Sequence, residues 1–198
     1  ADHLHVGSLK RVHAGAVVLV PHGLAGLVRR GASTLDVREV SEGEVLQHGP
    51  LTVTVVPAEH RGQRGPWSGL SAAAVGYVIR GSAATYFAGD TGPFDGMKDI
   101  GDHGLDLALV PVGGWSPTAL RGGHLDAARA ADALRLLRPR VAVPIHYGTF
   151  WPLGLHGFRE HLFRGPGPAF ATAARAAAPG VRVEVLRAHQ RLLVSPAA

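Results

Sequence analysis

The sequence predicts an α+β domain in which two β-sheets lie back to back under covering helices. Three observations lead there. The first half of the chain is rich in short apolar runs separated by turn residues. The second half alternates such runs with helical patterns. The 198 residues, 46% of them hydrophobic, suffice for one sizeable core, yet no apolar run reaches membrane-spanning length.

In chain order, Gly7 to His13 reads as a short helix. Ala16 to Val20 is a buried strand ending at Pro21-His22-Gly23, and Leu24 to Arg30 is a helix stopped by Gly31. Thr34 to Val40 alternates loosely, as a half-buried strand does. Val45 to His48 and Leu51 to Val56 form a hairpin around Gly49-Pro50. Pro57 to Ser71 is a loop rich in Gly, Arg and Trp. Ala74 to Arg80 and Ala84 to Ala88 pair across a turn at Gly81-Ser82; Phe94 to Ile100 is a short helix and Leu105 to Val112 an apolar strand.

Asp126 to Leu137 carries the strongest helix signal. Asp126 can cap its N-terminus, Ala127, Ala130, Ala131, Leu134 and Leu137 form an apolar stripe, and Pro139 prevents continuation. Val141 to Ile145 is the next strand, and Ala169 to Ala178 is an Ala-rich helix closed by Pro179-Gly180. Val181 to Leu186 and Arg191 to Val194 finish as strands. No repeat and no linker interrupts the chain, which reads as a single domain over 1–198.

Composition removes several function classes. The chain has no cysteine, which excludes disulfides, thiolate zinc sites and a cysteine nucleophile, and fits a cytoplasmic protein. The net charge is +5 and the pI about 10.4. The positive charge is almost all Arg, with Lys10 and Lys98 the two lysines, and it is dispersed rather than gathered in a basic arm or aromatic-basic face. That pattern argues against a nucleic-acid partner.

Chemistry-bearing side chains collect just past the apolar runs. Pro57-Ala58-Glu59-His60, Phe87-Ala88-Gly89-Asp90-Thr91-Gly92 and Val143-Pro144-Ile145-His146-Tyr147-Gly148 each place a His or Asp at a strand end, and Asp2-His3 adds a pair at the start. Strand ends hold side chains rigidly while loops shape a pocket. Imidazoles and carboxylates in this combination suit a borderline metal such as zinc. The alternatives are plainer: a turn or helix-cap role for Asp90, and hydrogen-bonded packing roles for His60 and His146.

Taken in order, Asp2-His3, His60, Gly89-Asp90-Thr91 and His146 resemble the metallo-β-lactamase-fold hydrolases. Their first motif, H-x-H-x-D-H, is followed by a lone His, a lone Asp and a final His. The resemblance runs from residue 1 to about the last strand. It extends to the branch of ascorbate-phosphate lactonases and N-acyl-phosphatidylethanolamine phospholipase D enzymes, which carry an extra His in a context like H-x-D-P-E-x-A. The matching stretch here is His124-Leu125-Asp126-Ala127-Ala128, without the Pro and Glu.

The resemblance implies a four-layer αββα sandwich and a hydrolase with two zinc ions per intact site, manganese or iron being alternatives. A metal-bound hydroxide would attack a small phosphate ester, phosphodiester or lactone. One metal would take His60 with two upstream His residues; the other would take Asp2, His3 and His146, with Asp90 bridging. Asp2 and His124 would act in catalysis, His124 by contacting substrate or protonating a leaving group. The first two His of the motif would fall just before Ala1, so the chain is expected to be a fragment lacking the fold's first strands. An exposed sheet edge there would favour homo-oligomers.

Around this core, Arg61 and Arg64 are candidate phosphate clamps against a solvated basic loop. Trp67, Trp115 and Trp151 are candidate pocket walls against ordinary packing. His5 lies close to the Asp2-His3 pair, while the remaining histidines read as surface or packing residues. Two competing functions stay open: a non-catalytic binding protein on the same fold, and a nuclease of the same superfamily.

Overall fold

The computed structural model describes residues 4–60, 71–114, 123–148 and 164–195. Its elements are α1 (Val6–Leu9), β1 (Val17–Pro21), α2 (Ala25–Gly31), β2 (Asp36–Val40), β3 (Val45–His48), β4 (Leu51–Pro57), β5 (Val75–Arg80), β6 (Ala84–Phe87), α3 (Met97–Gly101), β7 (Leu107–Pro111), α4 (Ala127–Leu137), β8 (Val141–Ile145), α5 (Pro166–Ala177) and β9 (Arg182–Val183).

There are two sheets among the described residues. β1 and β2 form a parallel pair, and β3 to β9 form a seven-stranded sheet in sequence order. β3 to β6 are an antiparallel meander: tight turns join β3 to β4 and β5 to β6, and a longer segment joins β4 to β5. From β6 onward the pairs are parallel. Parallel neighbours need crossovers, and α3, α4 and α5 supply them.

One face of the large sheet is buried beneath these helices. Val78, Tyr86, Ala108, Val110 and Ala142 share that face through their registers. They form one core with Leu134 and Leu137 of α4 and Phe170 and Ala174 of α5. A second core joins Val20 and Val37 of the small sheet to Ala25 and Val28 of α2, with Ala32 and Leu35 from the loop beyond it.

α4 follows its sequence signals closely. The Asp126 carboxylate accepts from the Arg129 backbone N–H at 2.9 Å, and Arg138 closes the helix in a left-handed conformation just before Pro139. Elsewhere the boundaries move. α1 is a single turn over Val6–Leu9 rather than a helix to His13, and Gly31 lies inside α2, whose C-cap is Ala32. α5 begins at Pro166 because proline at the first turn leaves no internal hydrogen bond unmade.

The C-terminal expectations need correction. Val181 to Leu186 contains only the two-residue β9, and Arg191 to Val194 is not a strand. Among the described residues, no helix is long and apolar enough to cross a membrane.

Candidate metal centre

Strand direction assembles the site. β4 is antiparallel to β5 and β5 to β6, so β4 and β6 run the same way; β7 and β8 are parallel to β6. The carboxyl ends of β4, β6, β7 and β8 therefore lie at one end of the sheet. His60 follows β4, Asp90 follows β6, Gly113-Gly114 follows β7 and His146 follows β8.

Asp90 and His146 meet directly. The His146 Nε2 is 3.2 Å from the Asp90 Oδ1, and the Asp90 side chain is only 10% exposed. Backbone geometry aims both groups. Gly89 turns out of β6 at φ 63°, and His146 itself sits at φ 61°. A left-handed histidine costs about 1–2 kcal/mol, so surrounding contacts must hold it. One is the close approach of its carbonyl to Gly113, where a Cβ would collide with that oxygen. The next residue, Tyr147, lies against Gly167 in the first turn of α5, and burial pushes its phenol pKa up.

His60 pairs with a different partner. Its ring lies edge-on to His124, with centroids 4.7 Å apart and planes 63° to each other. The His60 Nδ1 is 3.1 Å from the Gly123 carbonyl oxygen. A carbonyl can only accept, so Nδ1 is the donor and neutral His60 keeps its lone pair on Nε2. That tautomer suits a metal ligand whose second nitrogen is oriented by a backbone carbonyl.

Of the expected residues, Asp90 meets His146 and His60 meets His124, so the described ones form two pairs rather than one cluster. Among the described residues, no three His, Asp or Glu side chains group closely enough to hold a metal ion. The donor chemistry still fits a borderline divalent cation, since neutral imidazole and carboxylate are its usual nitrogen and oxygen ligands. Asp2 and His3 lie outside the described residues, as do Arg61, Arg64, Trp67, Trp115 and Trp151. His5 caps α1, its Nδ1 accepting from the Ser8 N–H at 3.2 Å.

Sequence reading missed the residue that ties these loops together. Thr91, next to Asp90, is fully buried and hydrogen-bonds the loop that carries His60. Its adjacency to Asp90 in Gly89-Asp90-Thr91 was the one available signal.

Comparison with known proteins places the chain in a family. Residues 1–147 match the family model described as the beta-lactamase superfamily domain. A UPF0173 metal-dependent hydrolase of Opitutus terrae is 33% identical over 189 residues, covering 91% of this chain and 77% of that protein. The N-acyl-phosphatidylethanolamine-hydrolyzing phospholipase D 1 of Caenorhabditis elegans is 32% identical over 175 residues, covering 77% of this chain and 47% of the relative. Of several further relatives this chain spans about half the length. Among solved structures, Igni18, a metallo hydrolase from Ignicoccus hospitalis, superposes with a TM-score of 0.60 at 25% identity, covering 86% of this chain and 76% of that one.

Proposed function

This chain belongs to the beta-lactamase superfamily domain family, whose relatives include proteins named metal-dependent hydrolases, and from that premise we propose that it serves hydrolysis of a small phosphodiester, phosphate ester or lactone. The observation that carries the reading is the shared direction of β4, β6 and β8. It delivers His60, Asp90 and His146 to one sheet end, with His146 and Asp90 already at 3.2 Å.

In this reading one domain provides the site. His60, Asp90 and His146, with Asp2 and His3, would hold zinc, manganese and iron being alternatives. Such a cation supplies an acidified water and an electrophilic pull on the scissile group's oxygen. The chain's own residues do the rest. Gly123 fixes the His60 tautomer through its carbonyl. His124, whose ring lies beside His60, would contact substrate or hand a proton to a leaving group. The phosphodiester arm draws support from the phospholipase D relative, matched over 77% of this chain.

The test is zinc stoichiometry by calorimetry on metal-stripped protein, followed by hydrolysis of bis(4-nitrophenyl) phosphate. Zinc uptake with turnover, both lost in Asp90→Asn, is the expected outcome. A wild-type protein that takes up no zinc removes the ligand assignment. Zinc uptake without turnover on ester or lactone probes leaves the non-catalytic binding protein as the better reading.

A further inference from the structure

We infer that Thr91 is a positioning residue that clamps three loops of the site into one register. Its hydroxyl oxygen accepts from the Glu59 backbone N–H at 3.0 Å, across 32 residues of sequence. The same hydroxyl donates to the Gly92 carbonyl at 2.9 Å. The Gly92 N–H returns to the Glu59 carbonyl at 2.8 Å, so both backbone groups of Glu59 are held by the Asp90 loop. The Thr91 carbonyl accepts from the Leu125 N–H at 3.0 Å, which fixes the segment carrying His124.

Each of these residues adjoins a site side chain: Glu59 precedes His60, Leu125 follows His124, and Thr91 follows Asp90. The two pairs described above, His60 with His124 and Asp90 with His146, are therefore joined through Thr91. Its side chain is 0% exposed, so no water competes for the hydroxyl. A hydroxyl is required because the clamp uses it as donor and acceptor at once. Valine has the same shape and neither capacity. Serine keeps both and loses only a methyl group.

The clamp's consequence for zinc rests on the metal reading above; its consequence for the backbone does not. The experiment therefore reads both, on the full chain as Thr91→Val, Thr91→Ser and wild type. Amide hydrogen exchange on metal-free protein is followed at Glu59, with Val143 in β8 as the internal reference for global opening. The expected result is Glu59 exchange at least ten-fold faster in T91V, restored in T91S. Zinc affinity falls about ten- to a hundred-fold in T91V, the range found when outer-shell partners of a ligand are removed, and returns in T91S.

Unchanged Glu59 exchange in T91V overturns the clamp, as does a T91S protein that behaves like T91V, because methyl packing would then be the cause. If T91V does not fold, wild type decides alone. Glu59 is an exposed residue, so strong protection of its amide supports the clamp and an unprotected amide overturns it. Faster exchange in T91V with a wild type that takes up no zinc upholds the clamp and removes the metal reading.

Discussion

Alanine at Gly113 or Gly114 tests how tightly the sheet end grips the site. A Cβ on Gly113 would run into the His146 carbonyl oxygen, and one on Gly114 would lie 2.6 Å from the Leu125 carbonyl oxygen and 2.9 Å from the Asp126 nitrogen. Both neighbours are backbone, so neither can rotate away. The Gly113 overlap demands a backbone shift on the order of 1 Å, a scale at which misplaced catalytic groups lose about 10²-fold in rate. Overpacking of this kind costs about 1–3 kcal/mol of stability. The two substitutions push different loops. Gly113→Ala moves the strained His146 turn away from Asp90, whereas Gly114→Ala moves the segment joining His124 to α4. Gly180→Ala is the control, because its Cβ would meet nothing within 4 Å and its φ is not positive. Urea unfolding and zinc titration are run on all three. G113A and G114A should each lose about 1–3 kcal/mol, with zinc affinity falling most in G113A; G180A should match wild type or gain a few tenths of a kcal/mol. If G113A keeps wild-type stability and affinity, the site is not held by close backbone approach, and the account of the His146 turn is wrong.

Other substitutions separate packing from chemistry. Asp106 is 7% exposed and accepts from the Ala84 N–H at 2.8 Å and from Arg140 Nη1 at 2.9 Å, joining β6, β7 and β8 at the end opposite the site. Asp106→Ala leaves the Ala84 donor unmatched and should cost about 2–4 kcal/mol in denaturant titration; Asp106→Asn, which still accepts, should cost less. Tyr86 is fully buried, burial raises its phenol pKa, and its hydroxyl finds no hydrogen-bond partner among the described residues. Tyr86→Phe should raise the unfolding free energy by about 1–3 kcal/mol. Asp126→Ala removes the α4 cap and should cost about 1 kcal/mol. Glu39 accepts from the Ala25 and Gly23 N–H groups, and these bonds, the Ala25 one first, lower its pKa. A lowered folded pKa means its contribution is full above the ordinary glutamate range and fades as pH falls through and below it. The Ala25 and Gly23 amide shifts in an acid titration should move together there.

What was legible in the sequence was local. α4 was readable because a capping carboxylate, an apolar stripe and a stopping proline all sit within 14 residues, and β8 because Val141 to Ile145 is bounded by Pro139-Arg140 on one side and His146 on the other. The C-terminal strands were not, because pairing is decided by the partner. Only Arg182 and Val183 find register with Val141 and Ala142, and an apolar run such as Arg191 to Val194 stays unpaired however strand-like its composition. The site divides along the same line. Strand-end positions for His60, Asp90 and His146 could be read from apolar runs, whereas their arrival at one end of the sheet depends on the directions of β4, β6 and β8, which no local pattern encodes. Thr91 marks the limit most clearly. Beside Asp90 it reads as an ordinary turn residue, and its role exists only because a hydroxyl meets an amide 32 positions away. A chain that sets its chemistry on strand ends must lock those ends to one another by such contacts. In a member of this family the residues that fix the site's geometry are therefore expected beside the ligand positions, with partners on other loops, rather than in the motif itself.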